Sequence, residues 1–187
     1  MVRRLAMILA GAAAFAPPVL AQSFEEAVEQ AQTAGPGMFR EPGVFISEMA
    51  SLSRSWTVNA IYGHWTGDGA DRSRRWIVRR AVGDRTGQTA LVWADSRTCP
   101  TVREVLIAME NMAPPRPQVY GLRAEPEQIV VVADGAQVVF RSRWSQAGSE
   151  GALVQFQVQG NVNAPHAIWW EESVQALADC WTPEAPE

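Results

Sequence analysis

The sequence predicts a single α+β domain, with a mainly antiparallel sheet, helices packed on one face of it, and one disulfide. Three observations lead to this prediction. Segments of alternating apolar and polar residues are separated by turns rich in glycine and aspartate, which is typical of antiparallel strands. Amphipathic segments with a helical repeat follow two groups of such strands, and the chain has only two cysteines. With 187 residues, it is long enough to bury a substantial core.

The first 21 residues have the pattern of a cleaved secretory signal peptide. Arg3 and Arg4 precede an apolar run that is too short to span a bilayer, and small residues lead up to Ala21. We therefore expect a mature domain of residues 22–187 that has no transmembrane segment and is periplasmic or secreted. In such a compartment, Cys99 and Cys180 are expected to form a disulfide.

The mature chain is predicted to begin with a short helix. Ser23 and Glu26 form a capping-box motif, and Gly35 and Pro36 end the apolar helical repeat. Residues 37–54 show no clear period and are expected to be irregular. Three strands and a helix are then predicted, at residues 56–65, 74–82, 89–95 and 100–112, with Pro100 in the first turn of the helix.

The second half of the chain repeats this order. Three strands and a helix are predicted at residues 129–134, 137–144, 152–159 and 165–181. This gives two βββα units in tandem, at about residues 56–112 and 128–181, joined by a proline-rich connector at residues 113–127. A pseudo-twofold merging the units into one sheet would lay the helices antiparallel, which brings Cys99 and Cys180 together.

Alternation also predicts which side chains are buried. Trp56, Val58, Ala60 and Tyr62 share one face of the first of these strands, and Phe156 and Val158 share one face of the last. The opposite face of that last strand carries a row of glutamines, Gln155, Gln157 and Gln159. Two of the eight tryptophans, Trp65 and Trp169, fall outside the apolar stripes and are expected to be exposed. Together with the glutamine row they suggest recognition of sugar or peptide.

One set of residues suggests an enzyme. His64 ends one predicted strand, and Asp95 and Ser96 end another at the same edge of the sheet. Serine, histidine and a carboxylate are the residue types of nucleophilic catalysis, so a hydrolase is the alternative function. However, no companion motif accompanies them, and the same residues suit a strand end and a helix cap equally well. We therefore favour a non-catalytic protein.

The sequence predicts neither a cofactor nor a metal site. Asp68 and Asp71 lie in a hairpin loop, but their spacing is not that of a calcium-binding EF-hand and the closing glutamate is missing. Two isolated histidines and two disulfide-bonded cysteines do not make a zinc site.

Arginine supplies every basic side chain, and four arginines are the candidate ligand-binding residues. Arg79 or Arg80 is predicted to join Arg141 and Arg143 in one positive surface, because guanidinium groups bind carboxylate and phosphate well. The expected partner is an anionic envelope component or another envelope protein. The net charge of −4 gives no reason to expect nucleic-acid binding. Alternatively, Arg79, Arg80, Arg141 and Arg143 are only the polar side of a solvated strand face.

The function expected from the sequence is that of an exported binding or structural module.

Overall fold

A computed structural model shows one six-stranded antiparallel sheet with helices on both faces. The structure describes residues 22–33, 35–36, 42–68, 70, 72–113, 135–147 and 152–187, without side chains at 143–147 and 152–154. The predicted signal peptide, the connector and the predicted strand at 129–134 lie outside the described residues. The α+β class, the antiparallel sheet and the disulfide are confirmed.

The helices are α1 (Phe24–Thr33), α2 (Thr101–Glu110) and α3 (Pro165–Ala176), followed by a 3-10 turn at Ala178–Cys180. The strands are β1 (Val44–Ala50), β2 (Trp56–Thr66), β3 (Ser73–Asp84), β4 (Gly87–Asp95), β5 (Ala136–Ala147) and β6 (Ala152–Asn161). Their order in the sheet is β4-β3-β2-β1-β5-β6.

Strand β1 joins the two halves of the sheet, because it pairs with β2 on one side and β5 on the other. The prediction that residues 37–54 are irregular is wrong for this strand. Val44, Phe45 and Ile46 are all buried, since β1 lies in the middle of the sheet and both of its faces are covered there. A strand buried on both faces shows no alternation in its sequence, so the period-2 signal is missing.

The helices α2 and α3 pack on one face of the sheet, as predicted, and bury a core that includes Ile46, Ile61 and Phe140. Helix α1 packs instead on the opposite face, against Trp56, Tyr62 and neighbouring side chains. The small residues Ala27 and Ala31 face the sheet, which allows a close approach of the helix. The Tyr62 hydroxyl donates a hydrogen bond of 2.6 Å to the main-chain oxygen of Ala31.

The predicted disulfide between Cys99 and Cys180 is present, with the two Cα atoms 5.8 Å apart. It links the start of α2 to the end of the 3-10 turn. Beyond it, Thr182 pairs through its main chain with Trp93 at the β4 edge, with N–O distances of 2.8 and 2.9 Å. Within the described residues, no helix combines the length and apolar character needed to cross a membrane.

Candidate functional site

The residues of the hydrolase alternative lie at the ends of β2 and β4, with β3 between these strands. The Asp95 carboxylate accepts hydrogen bonds from Arg75, the shortest being 2.6 Å from Nη2 to Oδ2. The Ser96 hydroxyl is buried and accepts a 2.9 Å hydrogen bond from the main-chain N–H of Trp76. His64 is paired with Arg75 in the β2–β3 register. These contacts give Asp95 and Ser96 structural roles.

The pair formed by Arg75 and Asp95 is largely buried, with 9% and 12% of the two side chains exposed. Burial raises the pKa of Asp95, but the hydrogen bonds from Arg75 and from the Arg97 N–H outweigh it, so the pKa lies below its ordinary value. Arg75 also donates to the main-chain oxygen of Glu187. The pair thus fixes the end of β4 to the segment that follows the disulfide.

Of the four predicted ligand-binding arginines, Arg79 is buried beneath α1 and only 2% exposed. Its Nη2 donates a 3.1 Å hydrogen bond to Oε1 of Gln30 on α1, and its guanidinium carbon lies 5.9 Å from the ring centroid of Trp93. Burial lowers the pKa of Arg79. Arg79 therefore serves to attach α1 to the sheet.

Arg80 points to the other face of β3, because successive strand residues face opposite sides. Its Nη1 donates a 3.2 Å hydrogen bond to Oδ1 of the fully buried Asn59. Burial lowers the pKa of Arg80, and the nearby Glu48 carboxylate partly opposes this shift. Neither Arg79 nor Arg80 therefore reaches the surface that holds Arg141.

Arg141 is exposed on β5 and lies on the same face of the sheet as Arg79. The register places Arg79, Ala60, Phe45 and Arg141 in one row across the sheet. Helix α1 covers the Arg79 end of this row and leaves the Arg141 end open. The guanidinium carbon of Arg141 lies 5.7 Å from the ring centroid of Phe45. The side chain of Arg143 lies outside the described residues.

A cleft of about 340 Å³ opens beside Arg141, between the end of α1 and the strands β5 and β6. The side chains that line it are Gln32, Pro42, Phe45, Arg141, Ser142, Gln155, Phe156 and Gln157, together with Gly43. Phe45 is almost fully buried and supplies an aromatic surface. Gln155 and Gln157 are exposed while Phe156 is half-buried, as the alternation of this strand predicts.

The described lining of the cleft combines the positive charge of Arg141 with several amides. Among the described lining residues, Arg141 is the only one with an ionisable side chain. Gln32, Gln155 and Gln157 each offer both donors and acceptors. The sequence prediction included Arg141 but missed Phe45 and Gln32, which reach the cleft only because β1 and α1 lie beside β5. Their one signal in the sequence is the apolar run around Phe45.

In the described part of the chain, no three side chains of histidine, cysteine, aspartate or glutamate come together in a way that would hold a metal ion. No protein-family model, curated protein or solved structure shows a significant match to this chain. The functional conclusion therefore depends on the geometry of the residues themselves.

Proposed function

We propose that this protein is a non-catalytic binding module of the periplasm or extracellular space, which holds an anionic ligand in the cleft beside Arg141. The observation that carries the proposal is the composition of the lining, with one exposed arginine, an aromatic ring and several amides. The described lining residues include no acid, base or activated nucleophile, which favours binding over catalysis.

The geometry of Arg141 favours a carboxylate or phosphate group. Its guanidinium is close to the Phe45 ring, and a guanidinium that stacks on an aromatic ring keeps its in-plane N–H groups for a second partner. These N–H groups form two parallel hydrogen bonds with an oxyanion. Gln32, Gln155 and Gln157 surround the same space and supply hydrogen bonds to the rest of the ligand.

The proposed location follows from two features. The first 21 residues have the pattern of a secretory signal, and the disulfide suits an oxidising compartment. An anionic component of the cell envelope is the partner consistent with both the location and the charge of Arg141.

A titration with small acidic probes tests the proposal. Glutamate dipeptide, glucuronate and inorganic phosphate, each beside a neutral analogue, are added while NMR follows the arginine Nε–H and glutamine amide signals. We expect at least one acidic probe to shift the Arg141 signal. Arg141→Gln should weaken its binding by about ten-fold or more, since a charged hydrogen bond is typically worth about 1.5–3 kcal/mol.

Arg85→Gln is the matched control, because Arg85 is an exposed arginine in the β3–β4 turn and its loss changes the net charge equally. An equal weakening by both variants would show that overall charge, and not the cleft, attracts the probes. If no acidic probe perturbs the residues of the cleft, the proposed function is wrong.

A further inference from the structure

A second group of arginines and aromatic rings lies near the tip of the β2–β3 hairpin. The guanidinium carbons of Arg72 and Arg74 lie 4.6 and 5.4 Å from the Trp65 ring centroid. Arg74 also lies 4.6 Å from the ring centroid of Trp76. We call these four residues the arginine–tryptophan stack.

The stack has a buried end and an open end. Trp76 packs against the core beneath α2 and α3, so it fixes the inner end of the stack. Trp65 is 47% exposed, as its position outside the apolar stripe predicts, and Arg72 is exposed beside it. An indole that keeps half of its surface in water while held between charged groups is available for contact with a partner.

Helix α2 adds a third arginine to this surface. Nη2 of Arg103 donates a 2.8 Å hydrogen bond to the main-chain oxygen of Arg74, which places a further exposed guanidinium beside the stack. Arg72, Arg74 and Arg103 therefore lie together on this face of the sheet, although the chain as a whole is acidic.

The chemistry of a stacked guanidinium selects the ligand. Its planar face contacts the indole, and its N–H edges are oriented for an oxyanion. A single exposed ion pair contributes only about 0–1 kcal/mol, so one anionic group would bind weakly. Tight binding needs a ligand with repeated anionic groups and an apolar face that covers the exposed part of Trp65.

We infer that the arginine–tryptophan stack binds an acidic polysaccharide. Carboxylates of successive uronic acid units pair with Arg72 and Arg103, and the C–H face of a pyranose ring packs on the exposed part of Trp65. This site lies on the α2–α3 face of the sheet and is separate from the cleft at Arg141.

The test is calorimetric titration of the purified protein with an oligogalacturonate. The methyl-esterified form of the same oligosaccharide keeps the sugar rings and removes the charge, which makes it the matched ligand control. We expect the acid form to bind and the ester to bind about ten-fold more weakly or not at all. Arg72→Gln should weaken binding by about three- to five-fold and Trp65→Ala by about ten-fold, whereas Arg85→Gln should leave it unchanged. Arg72→Lys should restore part of the affinity, since it keeps the charge but not the planar fork.

Absence of binding to the acid oligosaccharide would overturn the inference, as would equal binding of the acid and the ester. A uniform loss across Arg72→Gln and Arg85→Gln would show that only net charge matters. Tighter binding to single-stranded DNA, or to vesicles with anionic headgroups, would assign the stack to a different partner and also overturn it.

Circular dichroism of each variant checks that it is folded. If Trp65→Ala unfolds the protein, the binding of Arg72→Gln, which changes an exposed residue, still decides the question. Arg141→Gln should not affect this binding, which separates the result from that for the cleft.

Discussion

Reduction of the Cys99–Cys180 disulfide removes a covalent link and leaves every side chain in place. The two cysteines are 81 residues apart in sequence. In the chain-entropy model, closing a loop of this length lowers the entropy of the unfolded chain, and this stabilises the folded protein by about 4.5 kcal/mol at 25 °C. Since domains are usually stable by about 5–15 kcal/mol, reduction should remove a third or more of the total.

The measurement is urea unfolding of the oxidised and the reduced protein, followed by tryptophan fluorescence. With an m-value of about 2 kcal/mol/M, the midpoint should fall by about 2 M on reduction. The m-value itself should rise, because the reduced unfolded chain is more extended and exposes more surface. The double variant Cys99→Ala/Cys180→Ala is the control, and its midpoint should not respond to the reductant.

A loss smaller than about 1 kcal/mol on reduction would refute this reasoning, because the stabilisation assigned to the unfolded chain would then be absent. A double variant that responds to the reductant as strongly as the wild type would also refute it. In that case the reductant would act on the protein by some route other than this disulfide.

Three further predictions concern the fold. Asp95→Asn should cost about 1–3 kcal/mol at pH 7, because Arg75 loses its charged partner. Although burial raises the pKa of Asp95, hydrogen bonds from Arg75 hold it low, so this stabilisation is lost as the pH falls through the folded-state pKa. The difference in urea stability between the variant and the wild type should therefore shrink as the pH falls below about 4. Gly83→Ala should cost about 1–3 kcal/mol in thermal unfolding, because the added Cβ would lie 2.1 Å from a ring carbon of Trp56. Tyr62→Phe should cost about 1 kcal/mol by loosening α1. Burial raises the pKa of Tyr62 from 10.0 to about 12, so wild-type stability should fall between these pH values and the variant should lack this loss. Urea unfolding at pH values between 10 and 12, with absorbance at 295 nm to follow tyrosine ionisation, checks this prediction.

Local patterns predicted β2 and the start of α1, although β2 also buries Asn59 and Ile61 on its other face. Trp56, Val58, Ala60 and Tyr62 are all buried, as their alternation along β2 indicates. The capping box at the start of α1 is also present, since Ser23 and Glu26 exchange hydrogen bonds of 2.8 and 3.2 Å. In these cases the signal and the structure arise from residues close together in the chain, so the sequence carries the information directly.

Features that depend on distant packing were not predictable in this way. Strand β1 escaped detection because both of its faces are buried at Val44–Ile46, and yet it decides which strands are neighbours. Trp169 was expected to be exposed and is only 5% exposed. Its Nε1 donates a 2.9 Å hydrogen bond to the main-chain oxygen of Val105, because α3 packs against α2 as well as against the sheet. A helix that packs against two neighbours buries more than one stripe of side chains. A prediction based on a single apolar stripe therefore underestimates its buried surface.

For the same reason, the sequence could not predict which arginines are buried and which are exposed. Arg79 and Arg141 are on one face and in one row of the sheet, but the first is buried and the second exposed. Helix α1 makes this difference, since it packs mainly over β2 and its neighbours. A pattern of charges along the chain cannot show which part of a sheet a distant helix will cover. In the folded protein, Arg79 holds α1 in place, and the end of α1 contributes Gln32 to the cleft beside Arg141. A buried arginine thus has a part in shaping the proposed site although it does not line it, through the position of the helix that it fixes.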